Sequence, residues 1–209
     1  TKLTQEYYDV DNNKKFSLLV HFLKNETADL VMVFCATRRN ADFVQKNLRG
    51  IGIEAHAIHG GLSQHQRTKV INQFHTKGVK VLICTDVAAR GLDIKGVSHV
   101  YNYDLPNTVE SYIHRIGRTA RAGKDGKAIT LLSNRDYEKF EAIDRDEHIK
   151  LVAKKLPEFE RVAFRMNSGR QGSGRQGDNR RRDGRGDRRG GRDNRGGRRG
   201  GDRRAVSYT

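Results

Sequence analysis

Long apolar runs are missing from this 209-residue sequence. No stretch approaches the roughly 20 residues that a membrane-spanning helix needs, and the N-terminus carries no signal-peptide pattern. Those absences are expected of a soluble, cytoplasmic protein that does not use a membrane as partner. Cysteine is scarce: Cys35 and Cys84 each sit inside an apolar run. Neither has a second Cys or His at the spacing of a zinc site, and His56 and His59 lack a second ligand pair, so buried thiols are expected and no metal site is. The phosphate-binding pattern G-x-x-x-x-G-K-[ST] is also absent. Gly123-Lys124-Asp125-Gly126-Lys127 has similar letters at the wrong spacing and reads as a hairpin turn.

What is plentiful is positive charge. The formal net charge is +16, and more than half of it lies between Ser168 and Arg204, where 14 Arg face 5 Asp. Only Gly, Arg, Asp, Asn, Gln and Ser occur there, so no apolar side chain offsets the entropy of ordering the backbone. A disordered polycation is expected over 168–209, behind a linker at 154–167. It has no aromatic residue up to Arg204, which leaves any stacking on bases to arginine alone. Basic character in both the tail and the remainder points to a phosphate-rich partner.

Ahead of the tail, β-rich apolar runs alternate with segments of helical period, the pattern of β-α units around a mostly parallel sheet with helices on both faces. The expected strands are 31–36, 54–58, 79–85, 97–103 and 128–132, several nearly continuous in Val, Ile and Leu as strands covered on both faces should be. The expected helices are 14–23, 38–48, 64–76, 108–116 and 136–149. Ser63 with Gln66, and Asn107 with Glu110, have the spacing of capping boxes. In open α/β sheets ligands gather outside the carboxyl ends of the strands, and the chemistry-bearing residues follow those ends: Thr37 and Arg38, His59 to Gly61, and Thr85 to Asp93.

The densest of these segments is Tyr112-Ile113-His114-Arg115-Ile116-Gly117-Arg118-Thr119-Ala120-Arg121-Ala122-Gly123. Its three arginines recur every third residue, which on a helix sets each about 60° from the last along one edge. Fixed, always-charged forks on a rigid element suit phosphate. With Ser63 as cap, Gln64 and Arg67 occupy the first turn of a helix, beside exposed amides and the positive end of its dipole, where a phosphate fits.

His114 to Gly123 resembles motif VI of the DEAD-box RNA helicases. In the family's order, Val33 to Arg38 resembles motif IV, His59 to Arg67 the QxxR element, and Thr85 to Asp93 motif V. The resemblance covers about residues 1–153 and implies the second, C-terminal RecA-like domain of a two-domain enzyme. It further implies that Arg38, Gly60, Gln64, Arg67, Thr85 and Arg90 grip the sugar-phosphate backbone of single-stranded RNA without reading bases. Gly91 and Asp93 would face the nucleotide, Asp93 accepting a hydrogen bond from a ribose hydroxyl. Arg118 and Arg121 would be arginine fingers on the γ-phosphate of ATP, with His114 coupling that phosphate to the other domain. Arg115 is expected to serve intradomain structure. The tail resembles the Arg/Gly segments of RNA-binding proteins. The phosphate loop and the Asp-Glu-Ala-Asp motif that holds Mg²⁺ are absent, so the resemblance assigns both to an N-terminal domain and implies no ATP turnover by this chain alone. A non-catalytic RNA-binding or annealing module is the alternative. A DNA helicase of the same superfamily is disfavoured by His114, where DNA-directed relatives usually have Gln.

Overall fold

A computed structural model describes residues 2–92, 94–120 and 123–165. Asp93, Arg121 and the expected tail lie outside the described residues. Seven strands form one sheet in the order β3-β4-β2-β5-β6-β1-β7, with every pairing parallel. They are β1 (Leu3–Asp9), β2 (Leu30–Phe34), β3 (Ala55–Ile58), β4 (Val81–Cys84), β5 (Val97–Asn102), β6 (Gly126–Leu132) and β7 (Val152–Ala153). Helices α1 (Lys15–Asn25), α2 (Arg38–Gly50), α3 (Gln64–His75), α4 (Asp86–Ala89), α5 (Val109–Ile116) and α6 (Tyr137–Asp144) make the crossovers.

The central strands are buried at every position, Leu30–Phe34 and Val81–Cys84 alike, because helices cover both faces of the sheet. Alternation then divides the core. Val31, Val33, Ile83, Tyr101 and Ile129 pack with Leu18, Leu19 and Phe22 of α1 and Ala41, Val44 and Leu48 of α2. Met32, Phe34, Leu82, Cys84 and Val100 pack with Val70 and Phe74 of α3 and Ala88 and Ala89 of α4. Tyr112 and Ile116 of α5 and Ile143 of α6 cover Ala128 and Leu132. Both thiols are buried, and burial pushes Cys35 and Cys84 up, well away from a reactive thiolate.

The structure corrects several expectations. Gly123 to Lys127 is no hairpin: Gly126 opens β6, which runs parallel to both neighbours. A Cβ on Gly126 would collide with the Ala120 amide nitrogen, so the approach of the two backbones fixes glycine there. Thr108, not Asn107, caps α5, accepting the Ser111 amide at 3.1 Å. That helix ends at Ile116, so Arg115 and Arg118 do not continue along one helical edge. The closing helix stops at Asp144 rather than 149. Two strands, β1 and β7, were not anticipated. The segment expected as a linker is packed as far as it is described: Phe159, Val162 and Phe164 lie on the α1/α2 cluster. The Val162 amide donates to Ser17 Oγ at 2.9 Å, and the Arg165 amide to Asn47 Oδ1 at 2.7 Å.

Two histidines make the stability pH-dependent. Burial lowers the pKa of His99 on β5, aided by the Lys127 ammonium and opposed by Glu26; burial, then Arg49, lowers that of half-buried His56 on β3. The ordinary value is about 6.5, so below it the unfolded chain binds more protons than the folded one. The histidine contribution is complete above pH 6.5 and is lost as the pH falls from there toward the folded pKa values. Urea midpoints at pH 7.5 and pH 5.5 check this: the midpoint should drop at the lower pH, and the double substitution His56→Gln, His99→Gln should shrink the drop. Equal shifts in both proteins would assign the drop to other groups.

Candidate nucleic-acid interface

Because all the strands are parallel, their carboxyl ends share one edge, and the loops leaving β2, β3, β4 and β5 meet there. Thr37 follows β2 and caps α2 through its hydroxyl, which accepts the Asn40 amide at 3.1 Å. Arg38 is therefore the first helical residue, exposed and beside free amides. Its guanidinium lies against the loop after β3, where a Cβ on Gly60 would sit 2.8 Å from Arg38 Nη2. The missing side chain at Gly60 thus lets two motifs meet.

His59 holds that loop. Its Nδ1 accepts the Gly61 amide at 3.1 Å and its Nε2 lies 2.8 Å from Asp42 Oδ1 on α2. An amide can only donate, so Nδ1 is bare and Nε2 carries the proton toward Asp42. The structure gives this histidine a buried structural place. Asp42 was missed, since seventeen residues of chain separate it from the group it orients.

Ser63 makes the expected capping box with Gln66. Gln64 is exposed in the first turn of α3. Arg67, one turn on, reaches toward α4 with Nη2 3.4 Å from the Ala88 carbonyl, which brings the QxxR element beside motif V. Thr85 precedes α4, and its side chain makes no cap hydrogen bond to that helix. Arg90 ends α4, exposed, and Gly91 follows at φ +74°, a conformation that favours glycine. Neither Arg38 nor Arg90 has a carboxylate partner among the described residues, and Arg67 has only that one long contact. These three guanidiniums are uncommitted on one edge.

Arg115 is the opposite case. Fully buried, it donates through Nε and Nη2 to both Asp86 oxygens at 2.6 and 2.8 Å. Nη1 donates to the Asp104 carbonyl at 2.6 Å and to Asn102 Oδ1 at 3.2 Å, and the guanidinium plane covers the Phe34 ring at 5.0 Å. All three guanidinium nitrogens donate inside the domain, which ties the loop after β4 to the loop after β5. The role expected for Arg115 stands, but its partner Asp86 carried no signal in the sequence.

Beyond α5, Thr119 is buried and its hydroxyl contacts the carbonyls of Val97 and Ser98 at 2.7 and 2.9 Å. Ala120 then takes φ +53°, a strained conformation for a residue with a side chain. The anchor and the turn set the direction of Arg118, whose Nη1 donates to the Leu92 carbonyl at 2.6 Å. Motif VI therefore touches the 91–94 loop of motif V. His114 is exposed on α5, 3.9 Å from Glu110. His114, Arg118, Arg90 and Asp86 line a notch of about 20 Å³, room for about one water molecule, so a phosphate chain could only lie across its mouth.

An all-parallel sheet with arginine-bearing loops gathered at its carboxyl edge defines a RecA-like domain of the kind found in helicases. The family model for the helicase conserved C-terminal domain matches residues 14–123. The chain belongs to that family, and its similarities place it among the DEAD-box RNA helicases. It is 43% identical over 155 residues to the DEAD-box ATP-dependent RNA helicase CshA of Geobacillus kaustophilus, covering 74% of this chain and 33% of that protein. The CshA of Bacillus subtilis is 42% identical over 157 residues, covering 75% and 32%. The chain thus spans about a third of the length of these curated relatives. Among solved structures, the E. coli DEAD-box protein SrmB bound to the regulator RraA superposes with a TM-score of 0.69 at 39% identity, over 76% of this chain and 92% of that one. A DEAD box protein from Methanococcus jannaschii gives 0.67 at 47% identity over 75% and 42%. Dbp5 of S. cerevisiae bound to RNA and ADP BeF3 gives 0.69 at 34% identity over 73% and 41%.

Proposed function

We propose that this chain is the C-terminal half of an ATP-dependent RNA helicase. On this reading it grips a single RNA strand along its carboxyl edge and presents arginines to ATP held, with Mg²⁺, by an N-terminal RecA-like DEAD domain. The observation that carries the reading is that, among the described residues, Arg38, Arg67 and Arg90 have no carboxylate partner on this edge, while all three guanidinium nitrogens of Arg115 donate within the domain. Guanidinium forks without a carboxylate partner, in the first turns of two helices, suit phosphate oxygens, and such contacts position a strand without reading its sequence. Gly60, Gln64 and Thr85 supply a backbone approach, an amide and a hydroxyl to the same path.

Arg118 and Arg121 are the fingers: each would stabilise charge that develops on the transferred phosphoryl group. Gly91 and Asp93 would border the ribose, and His114 would relay contact with the N-terminal domain. The tail would raise the local concentration of RNA through weak, sequence-independent contacts. A chain lacking the phosphate loop would not turn over ATP by itself.

The reading is tested in the protein that carries both halves. Arg38→Ala and Arg67→Ala should each weaken single-stranded RNA binding, lower the salt slope of log K by about one unit or less, and abolish most RNA stimulation while ATP affinity persists. Unchanged slope and unchanged stimulation in both variants would return these arginines to the solvated surface.

A further inference from the structure

The carboxyl edge carries a second concavity that the four motifs leave unused. An alcove of about 470 Å³ opens where the ends of β1, β2, β5 and β6 meet α1 and α2, within the size range of small-ligand sites. Its walls include Phe43 of α2 and Phe164 of the 154–165 segment, whose rings cross at 82° with centroids 5.4 Å apart. Phe16 and Tyr103 floor it.

The carboxylates within it are already satisfied. Lys15, itself buried, stands 3.6 Å from Asp104 and 3.4 Å from Asp136. Asp104 also accepts the Ala36 amide and Asn40 Nδ2, and Lys139 faces Asp136 at 3.6 Å. The groups at the rim are not. Arg135 is exposed, and among the described residues neither it nor the side-chain amides of Asn12 and Asn13 have a hydrogen bond or ion pair. An aromatic wall, free amides and an unpaired cation at the mouth form the combination that takes a base by its face and edge and its phosphate by charge.

Position favours the same occupant. Ala36 and Asn40 line the alcove and bracket Thr37-Arg38 in the chain, so it opens beside the N-terminus of α2 where the RNA strand is proposed to pass. Phe164 is available as a wall because the buried Asn47 amide pairs with both the N–H and the carbonyl of Arg165. A segment that reads from composition as a spacer thereby becomes part of the site.

We propose that this alcove is an additional RNA subsite, which accepts one unpaired nucleobase of the strand next to the Arg38 contact, packed against the edge-to-face wall of Phe43 and Phe164 with its phosphate at Arg135. The inference rests on the reading of this edge as RNA-binding, and the experiment separates the two. Single-stranded oligouridylates carrying 4-thiouridine at successive positions are photocrosslinked to the full 209-residue chain and the adducts mapped by mass spectrometry. Affinities of Arg135→Glu, Phe164→Leu and Arg67→Ala are measured alongside, with thermal unfolding to show that each variant is folded.

One thiouridine position should crosslink to Phe43 or Phe164. That adduct should vanish in Phe164→Leu, which keeps apolar packing but loses the flat ring. Affinity for oligomers that reach the alcove should fall by about fivefold or more, as expected for loss of one base–aromatic stack. Adducts confined to the peptides around Arg38, Gly60 and Arg67, with affinity unmoved in Arg135→Glu, would overturn the subsite while leaving the edge intact. Loss of neither adducts nor affinity in Arg67→Ala would remove the reading of the edge itself.

Discussion

Arg118→Ala, introduced into the protein that carries both RecA-like halves, is expected to lower kcat for ATP hydrolysis by about 10³-fold or more, the scale of arginine fingers in related phosphoryl transfers. The expectation follows from where the backbone puts this side chain. Buried Thr119 anchors the turn on β5, and the strained Ala120 directs the chain out of it, so Arg118 stands at the mouth of a notch too small to admit phosphate. Its Nη1 donates to the Leu92 carbonyl at 2.6 Å, which holds the side chain beside the motif V loop. Charge stabilised only as the reaction proceeds shows as a loss in kcat and in kcat/KM together. Arg118→Lys keeps the charge but not the planar fork, and should recover only part of the loss. RNA affinity without nucleotide should be unchanged, because the uncommitted Arg38, Arg67 and Arg90 remain. The measurement is steady-state ATPase activity at saturating RNA beside RNA titrations. A variant that hydrolyses ATP normally but binds RNA weakly would move Arg118 from the nucleotide side to the strand.

Arg115→Ala carries the largest expected effect on stability. The substitution removes a guanidinium that meets Asp86, Asn102 and Asp104 at once and leaves the Asp86 carboxylate without its cation in a half-buried place. Breaking a buried ion pair on one side costs about 3–5 kcal/mol, and for a domain of this size each kcal/mol shifts Tm by about 2–4 °C, so a drop on the order of 10 °C is expected. Asp86→Ala should cost a comparable amount, since it leaves the fully buried guanidinium with only neutral acceptors at Asn102 and Asp104, and the double variant should be less destabilised than the two singles added. Circular-dichroism melts of the four proteins form the cycle. A fall in Tm of a degree or two would show that water replaces the guanidinium. Because Arg115 joins the loops after β4 and β5, RNA binding and ATP turnover should decline together in this variant, unlike the separate losses expected at Arg67 and Arg118.

The legible parts of the chain were those in which local chemistry and global fold agree. Runs such as Leu30–Phe34 and Val81–Cys84 have no alternative to a buried parallel strand, and Ser63 with Gln66 closes its cap within four residues. Arg38 was legible as the residue just behind a strand end, whereas the motif arginines as a set were read from the family resemblance. The alternation of elements thus determined an α/β sheet whose strands share one carboxyl edge, and the charge pointed to a phosphate-rich partner.

Other features depended on groups far apart in sequence. Leu3–Asp9 is polar and aromatic, and it becomes a strand because β6 offers a seven-residue parallel register to its hydrogen-bonding groups. Glu6 within it is buried because Lys127 and Lys154 approach it from two other segments. The segment after Ala153 looks like a spacer until Ser17 and Asn47 bind its backbone. Of the arginines in motif VI, the sequence presents equivalents three residues apart. Only the tertiary structure buries Arg115 against Asp86 and leaves Arg118 at the notch, because a helix that stops at Ile116 turns the next side chain away from the core. Local propensity and spacing are encoded within a few residues, whereas the commitment of a charge depends on which distant carboxylate the fold brings within 3 Å.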